Sequence, residues 1–163
     1  MASQRGVHPL SNRGLVAVVL ASVLPFATAC GVPRRMRSMF GGELPIQVKV
    51  APEVNHDSPV AVELVMAYDD KALDELLKMS KDVWFRNRGQ LLRDYAGRVD
   101  TWRWEWVPGQ QVSPVAISYR IGAKGAVLFA DYLTPGEHRA RIDPHRPLRL
   151  VLGETDFALA EPQ

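Results

Sequence analysis

The chain has 163 residues, with 20 Lys and Arg against 18 Asp and Glu. That near balance, with no clustered basic face, excludes a nucleic-acid binder, and the length suits a single core. Cys30 is the only cysteine, which excludes an intramolecular disulfide.

Residues 1–29 do not read as part of a folded domain. Arg5 and Arg13 make a positive start with no acidic residue near them, and an apolar run follows from Leu15 to Ala29. A bilayer core of ~30 Å needs about 20 apolar residues, and this run is shorter. It has the size of a cleavable signal segment. The run ends Ala27-Thr28-Ala29-Cys30, and small residues before a cysteine at this place resemble the lipobox of bacterial lipoproteins. Acylation would remove a thiol that is otherwise a liability in an exported protein. The alternative is an ordinary signal peptide cut elsewhere, with Cys30 a free thiol. The lipobox resemblance implies cleavage before Cys30 and, with Gly31 next, sorting to the outer membrane. Residues 30–43, rich in Gly, Pro and Arg, read as a lipidated tether, and residues 44–163 as the folded domain. Losing Arg5 and Arg13 leaves the remaining chain near neutral.

Past the tether the periodicity is mostly two, the mark of half-buried strands. Ile46, Val48 and Val50 alternate with Gln47 and Lys49. Val60, Val62, Leu64, Met66 and Tyr68 form one face of a second strand. Asp69 and Asp70 are suited to cap a helix over Lys71 to Met79, and Ser80 a second one carrying Val83, Trp84, Leu91, Leu92 and Tyr95, with Gly89 as an interruption. Trp102, Trp104 and Trp106 alternate with Arg103 and Glu105, then Val115, Ile117 and Tyr119 follow. Gly125 to Tyr132 is almost continuously apolar, as in a strand covered on both faces. His138 to Ile142 and Leu148 to Leu152 close the series. The pattern predicts a mainly β fold, a two-sheet β-sandwich of about seven strands. A helical insertion separates the second and third strands and is expected to pack on a sheet edge or across the end of the sandwich.

Motifs for chemistry are missing. His56, His138 and His145 show no metal-ligand spacing, and no serine sits in a nucleophile elbow. The sequence therefore points to no enzyme, no metal and no cofactor. The tryptophan stripe Trp102, Trp104, Trp106 leaves three readings open: core packing against the helical insertion, a protein interface, or a platform for a glycan or other ligand. The loop Ala51 to Pro59 is the other candidate, since loops at a sandwich end commonly carry recognition.

A lipobox, a short leash, a strand, a loop containing Asn55, then Ser58-Pro59-Val60-x-Val62 running into a long strand and a helical insertion resembles the outer-membrane lipoprotein of the type VI secretion system, the TssJ family. The resemblance implies a transthyretin-like sandwich without enzymatic activity. It also implies a structural subunit of an envelope-spanning membrane complex, held by its acyl chains in the outer membrane and facing the periplasm. The partner it implies is the periplasmic part of the large inner-membrane subunit, the TssM family. Carried over, the partner-binding loop is Ala51 to Pro59, with Glu53, Asn55, His56, Asp57 and Ser58 as contact residues. The competing function is a lipoprotein that binds a glycan through the tryptophan stripe.

Overall fold

The computed structural model describes residues 41–160, which form a β-sandwich with a helical layer on one side. Cys30 and the leader lie outside the described residues. Eight strands follow in chain order: β1 Gly42–Val50, β2 Val60–Ala67, β3 Val99–Trp106, β4 Val115–Tyr119, β5 Gly125–Ala130, β6 Arg139–Ile142, β7 Leu148–Leu152 and β8 Phe157–Ala160. Two helices, α1 Asp70–Leu77 and α2 Lys81–Asp94, separate β2 from β3.

The strands pair as two four-stranded sheets, β4-β1-β7-β8 and β3-β2-β5-β6. All pairings are antiparallel except β1 with β7, which runs parallel from Ile46↔Leu148 to Val50↔Leu152. β1 opens at Gly42, inside the stretch expected to be tether, and pairs there with Tyr119. A Cβ at Gly42 would strike the Tyr119 ring, so only glycine allows this approach.

The inner faces supply the main core. Leu44, Ile46 and Val50 of β1 meet Val62, Leu64 and Met66 of β2, together with Leu128, Leu150 and Leu152. The alternation read in β1 and β7 comes from one face turned inward and one to solvent. β2 differs, because its outer face is also covered. Val65 and Ala67, with Val127 and Phe129 of β5, pack under Ala72, Leu73 and Leu76 of α1 and Trp84 of α2. The helices therefore lie on the face of the β3-β2-β5-β6 sheet, not at its edge or across the end of the sandwich. The reason is chemical: the outward residues of β2 and β5 are too apolar to face water, and α1 offers the matching stripe.

The expected helix starts are present. Asp69 accepts a hydrogen bond from the Ala72 amide at 2.8 Å and Ser80 from the Val83 amide at 3.3 Å. α2 runs through Gly89 without a break, and Val83 turns outward rather than joining the apolar side. Asp69 also takes two bonds from the Arg98 guanidinium, at 2.8 and 2.9 Å. That pairing, and after it the Ala72 amide, holds its carboxyl down at about 2.

One charged residue sits under the helices. Glu63, on the outer face of β2, is wholly buried. Arg88 Nε donates to both its oxygens, at 3.0 and 2.7 Å, and Trp84 Nε1 donates at 3.2 Å. The Trp84 ring in turn stacks on Phe129, with centroids 5.2 Å apart. A buried carboxylate without such partners would be strongly destabilising.

The tryptophan stripe points into the sandwich. Trp106 is buried, Trp102 and Trp104 are half-buried, and all three join the inner core. Trp104 and Trp106 stack with centroids 5.6 Å apart. β3 is an edge strand, so side chains on its inner face fill the lip between the sheets and stay partly open. The stripe packs against the opposite sheet and not against the helical insertion.

Candidate partner-binding end of the sandwich

The strand directions sort the loops into two ends. The chain enters β1 at one end, together with the 120–124 and 143–147 turns. The loop after β1, the turn after β3, the 131–138 segment and the 153–156 turn gather at the other, here called the distal end. β1 spans nine residues, which at about 3.3 Å each separates the two ends by roughly 30 Å.

The loop after β1 has an unusual backbone. Asn55, His56 and Asp57 are consecutive and all left-handed, with φ of 49°, 52° and 59°. An L-residue in this region costs on the order of 1 kcal/mol, and asparagine, aspartate and histidine tolerate it best. The sequence Asn-His-Asp suits such a turn, and neighbours hold it there. The Asn55 amide donates to Gly153 O at 3.3 Å and the His56 amide to Glu154 O at 3.2 Å. The Ser58 amide donates back to Val54 O and Asn55 O, both at 3.2 Å, and the Val54 side chain is fully buried. Backbone strain that is over-determined by its surroundings is a feature of ligand clamps and switch regions.

Asn55, expected among the exposed contact residues, is buried. It is 2% exposed. Its Oδ1 accepts from the Leu133 amide at 2.7 Å and its Nδ2 donates to Pro59 O at 2.8 Å. The side chain thus closes the loop on itself and pins it to the 131–138 segment. Glu53, His56 and Asp57 are exposed and Ser58 half-exposed, so four of the five expected contact residues stay accessible. His56 Nδ1 lies 3.4 Å from Glu154 Oε1. The Ser58 hydroxyl donates to His56 O at 3.4 Å.

Two buried side chains, Tyr132 and His138, anchor the otherwise largely exposed 131–138 segment. His138 is buried beside Tyr132, with ring centroids 5.1 Å apart. Its Nδ1 is 2.8 Å from Asp156 Oδ1 and its Nε2 is 2.9 Å from Thr134 O. Thr134 Oγ1 donates to Thr155 O at 2.6 Å, which ties this segment to the turn before β8. The Lys81 ammonium, almost fully buried, donates to Tyr132 O at 2.6 Å. Burial, and then the Asp156 carboxylate, pushes the Tyr132 phenol well above the usual tyrosine range.

The end as a whole is rich in carboxylates. Glu53, Asp57, Asp131, Glu137, Glu154 and Asp156 are all exposed. Asp131, Glu137, Glu154 and Asp156 have a basic neighbour within 4 Å, and Glu53 and Asp57 have none among the described residues. No three His, Cys, Asp or Glu converge as a metal site among the described residues. No described helix is long and apolar enough to cross a membrane. The arrangement is suited to polar recognition by rigid loops.

No family model matches the chain, and no curated protein matches it in sequence. Solved structures do match. One is that of Serratia marcescens Lip, a membrane-bound component of the type VI secretion system, with a TM-score of 0.58 at 12% identity, covering 76% of this chain and 99% of that one. The chain is TssJ-like in fold. The lipoprotein TssJ1 from Pseudomonas aeruginosa matches with a TM-score of 0.54 at 14% identity, over 76% of this chain and 98% of its own. A chain from a type VI membrane complex gives 0.54 at 17% identity, over 73% and 98%. The matched part of this chain spans nearly the whole length of each neighbour.

In this TssJ-like domain the sequence located the loop but not its companions. The 131–138 segment and the 153–156 turn lie at the same end, brought there by strand pairing across the whole chain. The Asn55 side chain is the link between loop and segment. An asparagine before a Pro-bounded strand start was the available signal, and it reads as a turn residue, not as a bridge.

Proposed function

We propose that this protein is a lipid-anchored structural subunit of a type VI secretion membrane complex. In this reading the leader is removed, Cys30 is acylated, and the tether holds the domain to the outer membrane, facing the periplasm. The distal end binds the periplasmic part of the large inner-membrane subunit. Glu53, His56, Asp57 and Ser58 make the contact, and Asn55 positions the loop that carries them.

The observation that carries the reading is the left-handed run at Asn55, His56 and Asp57, held under strain at the end opposite the point where the chain enters the domain. A membrane tether at one end leaves the other turned toward partners. Strain retained at that end suggests a shape kept for recognition. The fold shared with type VI lipoproteins supports the assignment to this machinery. With the tryptophan stripe turned into the core, no observation favours a glycan site.

Two measurements test the reading. Metabolic labelling with palmitate should mark the protein and be lost in Cys30→Ser. Co-purification from mild detergent should recover the large inner-membrane subunit, and Glu53→Lys with Asp57→Asn should reduce it. A protein that takes no label, or recovery that ignores the loop change, would count against the corresponding half.

A further inference from the structure

Leu133 is 68% exposed, more than Val83, Val107, Ile121 or Leu159. Single exposed leucines are ordinary, but this one is held with unusual care. Its amide donates to Oδ1 of the buried Asn55 at 2.7 Å. The carbonyl before it, on Tyr132, accepts from the buried Lys81 ammonium at 2.6 Å. The residue after it, Thr134, is tied to Thr155 O at 2.6 Å. Two buried polar side chains, from the β1–β2 loop and from α2, thus hold the two ends of the single peptide group that leads into Leu133, and the Thr134 bond holds the chain just after it. A backbone already fixed beneath an exposed apolar side chain lowers the ordering cost of docking, which suits an interface anchor.

The surroundings specify the other side. Exposed carboxylates of Glu53, Asp57, Asp131, Glu137, Glu154 and Asp156 lie on the loops of the same end, and Glu53 and Asp57 lack an ion-pair partner among the described residues. An acidic surface is met best by a basic one, which would raise the encounter rate and fix the register.

We infer that Leu133 is the apolar anchor of the distal contact, and that it enters a socket on a partner protein ringed by lysine or arginine. The inference rests on the reading that this end binds the large inner-membrane subunit. The occupant is a folded protein face rather than a lipid surface, because a carboxylate-rich end is repelled by anionic headgroups.

The test uses full-length tagged protein expressed in its native host. Envelopes are solubilised in mild detergent across a salt series, and the co-purifying inner-membrane subunit is quantified by mass spectrometry. Leu133→Ser should lower recovery by about tenfold or more, the effect expected when a buried leucine is lost from an interface. Leu133→Met should stay near wild type, and both variants should melt with the wild type because the side chain is exposed. Wild-type recovery should fall as salt rises, and Glu53→Gln with Asp57→Asn should flatten that dependence. Undiminished recovery with Leu133→Ser, alongside reduced recovery with Glu53→Lys and Asp57→Asn, would overturn the anchor and leave the contact loop standing. Recovery insensitive to salt would overturn the basic partner. A wild-type protein that recovers no inner-membrane subunit would overturn the underlying reading itself.

Discussion

Replacing Asn55 with alanine separates positioning from contact. The substitution removes the bond to the Leu133 amide at 2.7 Å and the bond to Pro59 O at 2.8 Å. Each loss costs about 1 kcal/mol when the abandoned group is only partly reached by water. Asn55 has a φ of 49°, and alanine tolerates this less well than asparagine, by something under 1 kcal/mol. The sum is about 2–3 kcal/mol. For a domain of this size that lowers Tm by roughly 8–15 °C. Thermal denaturation followed by circular dichroism would measure it. Asn55→Gly loses the same bonds but relaxes the backbone, so it should melt a few degrees above Asn55→Ala. A Tm for Asn55→Ala within 2 °C or so of wild type would refute the bridging role. Equal Tm values for the alanine and glycine variants would refute the strain.

Other outcomes follow from the same geometry. Asp57→Gly should leave stability within about 0.5 kcal/mol of wild type in urea titration, because relief of the left-handed strain is offset by the greater freedom of glycine in the unfolded chain, while any partner binding that needs Asp57 should fall. Asp69 has its pKa held down at about 2 by Arg98 and the Ala72 amide; its contribution is fully present above the unfolded value near 3.9 and is lost as pH falls through about 2, so Asp69→Asn should flatten the acid limb of a pH–stability profile between those values. Tyr68 and Tyr95 are both pushed up to about 12, by burial first and then by Asp100 and Glu75 respectively, and burial also raises Tyr119 and Tyr132. The stability these phenols contribute is complete below about 10 and is lost as pH rises toward 12. Ultraviolet titration of the folded protein should therefore show Tyr68 and Tyr95 ionising well above pH 10, and a single ordinary phenol transition of all the tyrosines near pH 10 would contradict the packing. Arg88→Met should destabilise by about 3–5 kcal/mol because it strands the buried Glu63 carboxylate, and Glu63→Gln in the same chain should recover part of that loss in denaturant titration.

The sandwich was legible because most strands show one face to water. Ile46, Val48 and Val50 alternate with polar residues for that reason, and Gly125 to Tyr132 announced a strand covered twice by its unbroken apolarity. β8 escaped because Phe157–Ala160 is short and has no polar alternation of its own. The position of the helices was misjudged because β2 was read as one-sided. Val65 and Ala67 were the signal that its second face is buried, and Glu63, two residues before Val65 on that same face, is accommodated there only through Arg88, 25 positions on. At the distal end the loop could be found from Asn55 and Ser58-Pro59. Leu133 and Glu154 could not, since only the β5 and β7 pairings bring them to that end.

In the proposed role the distal end of the sandwich meets the partner and the opposite end does not. A photo-crosslinking amino acid can be placed at position 57, in the distal loop, or at position 121, an exposed site in the turn between β4 and β5 at the opposite end. Illumination of intact cells should join the large inner-membrane subunit to the protein from position 57 and leave position 121 without it. Crosslinks from position 121 with none from position 57 would contradict the account.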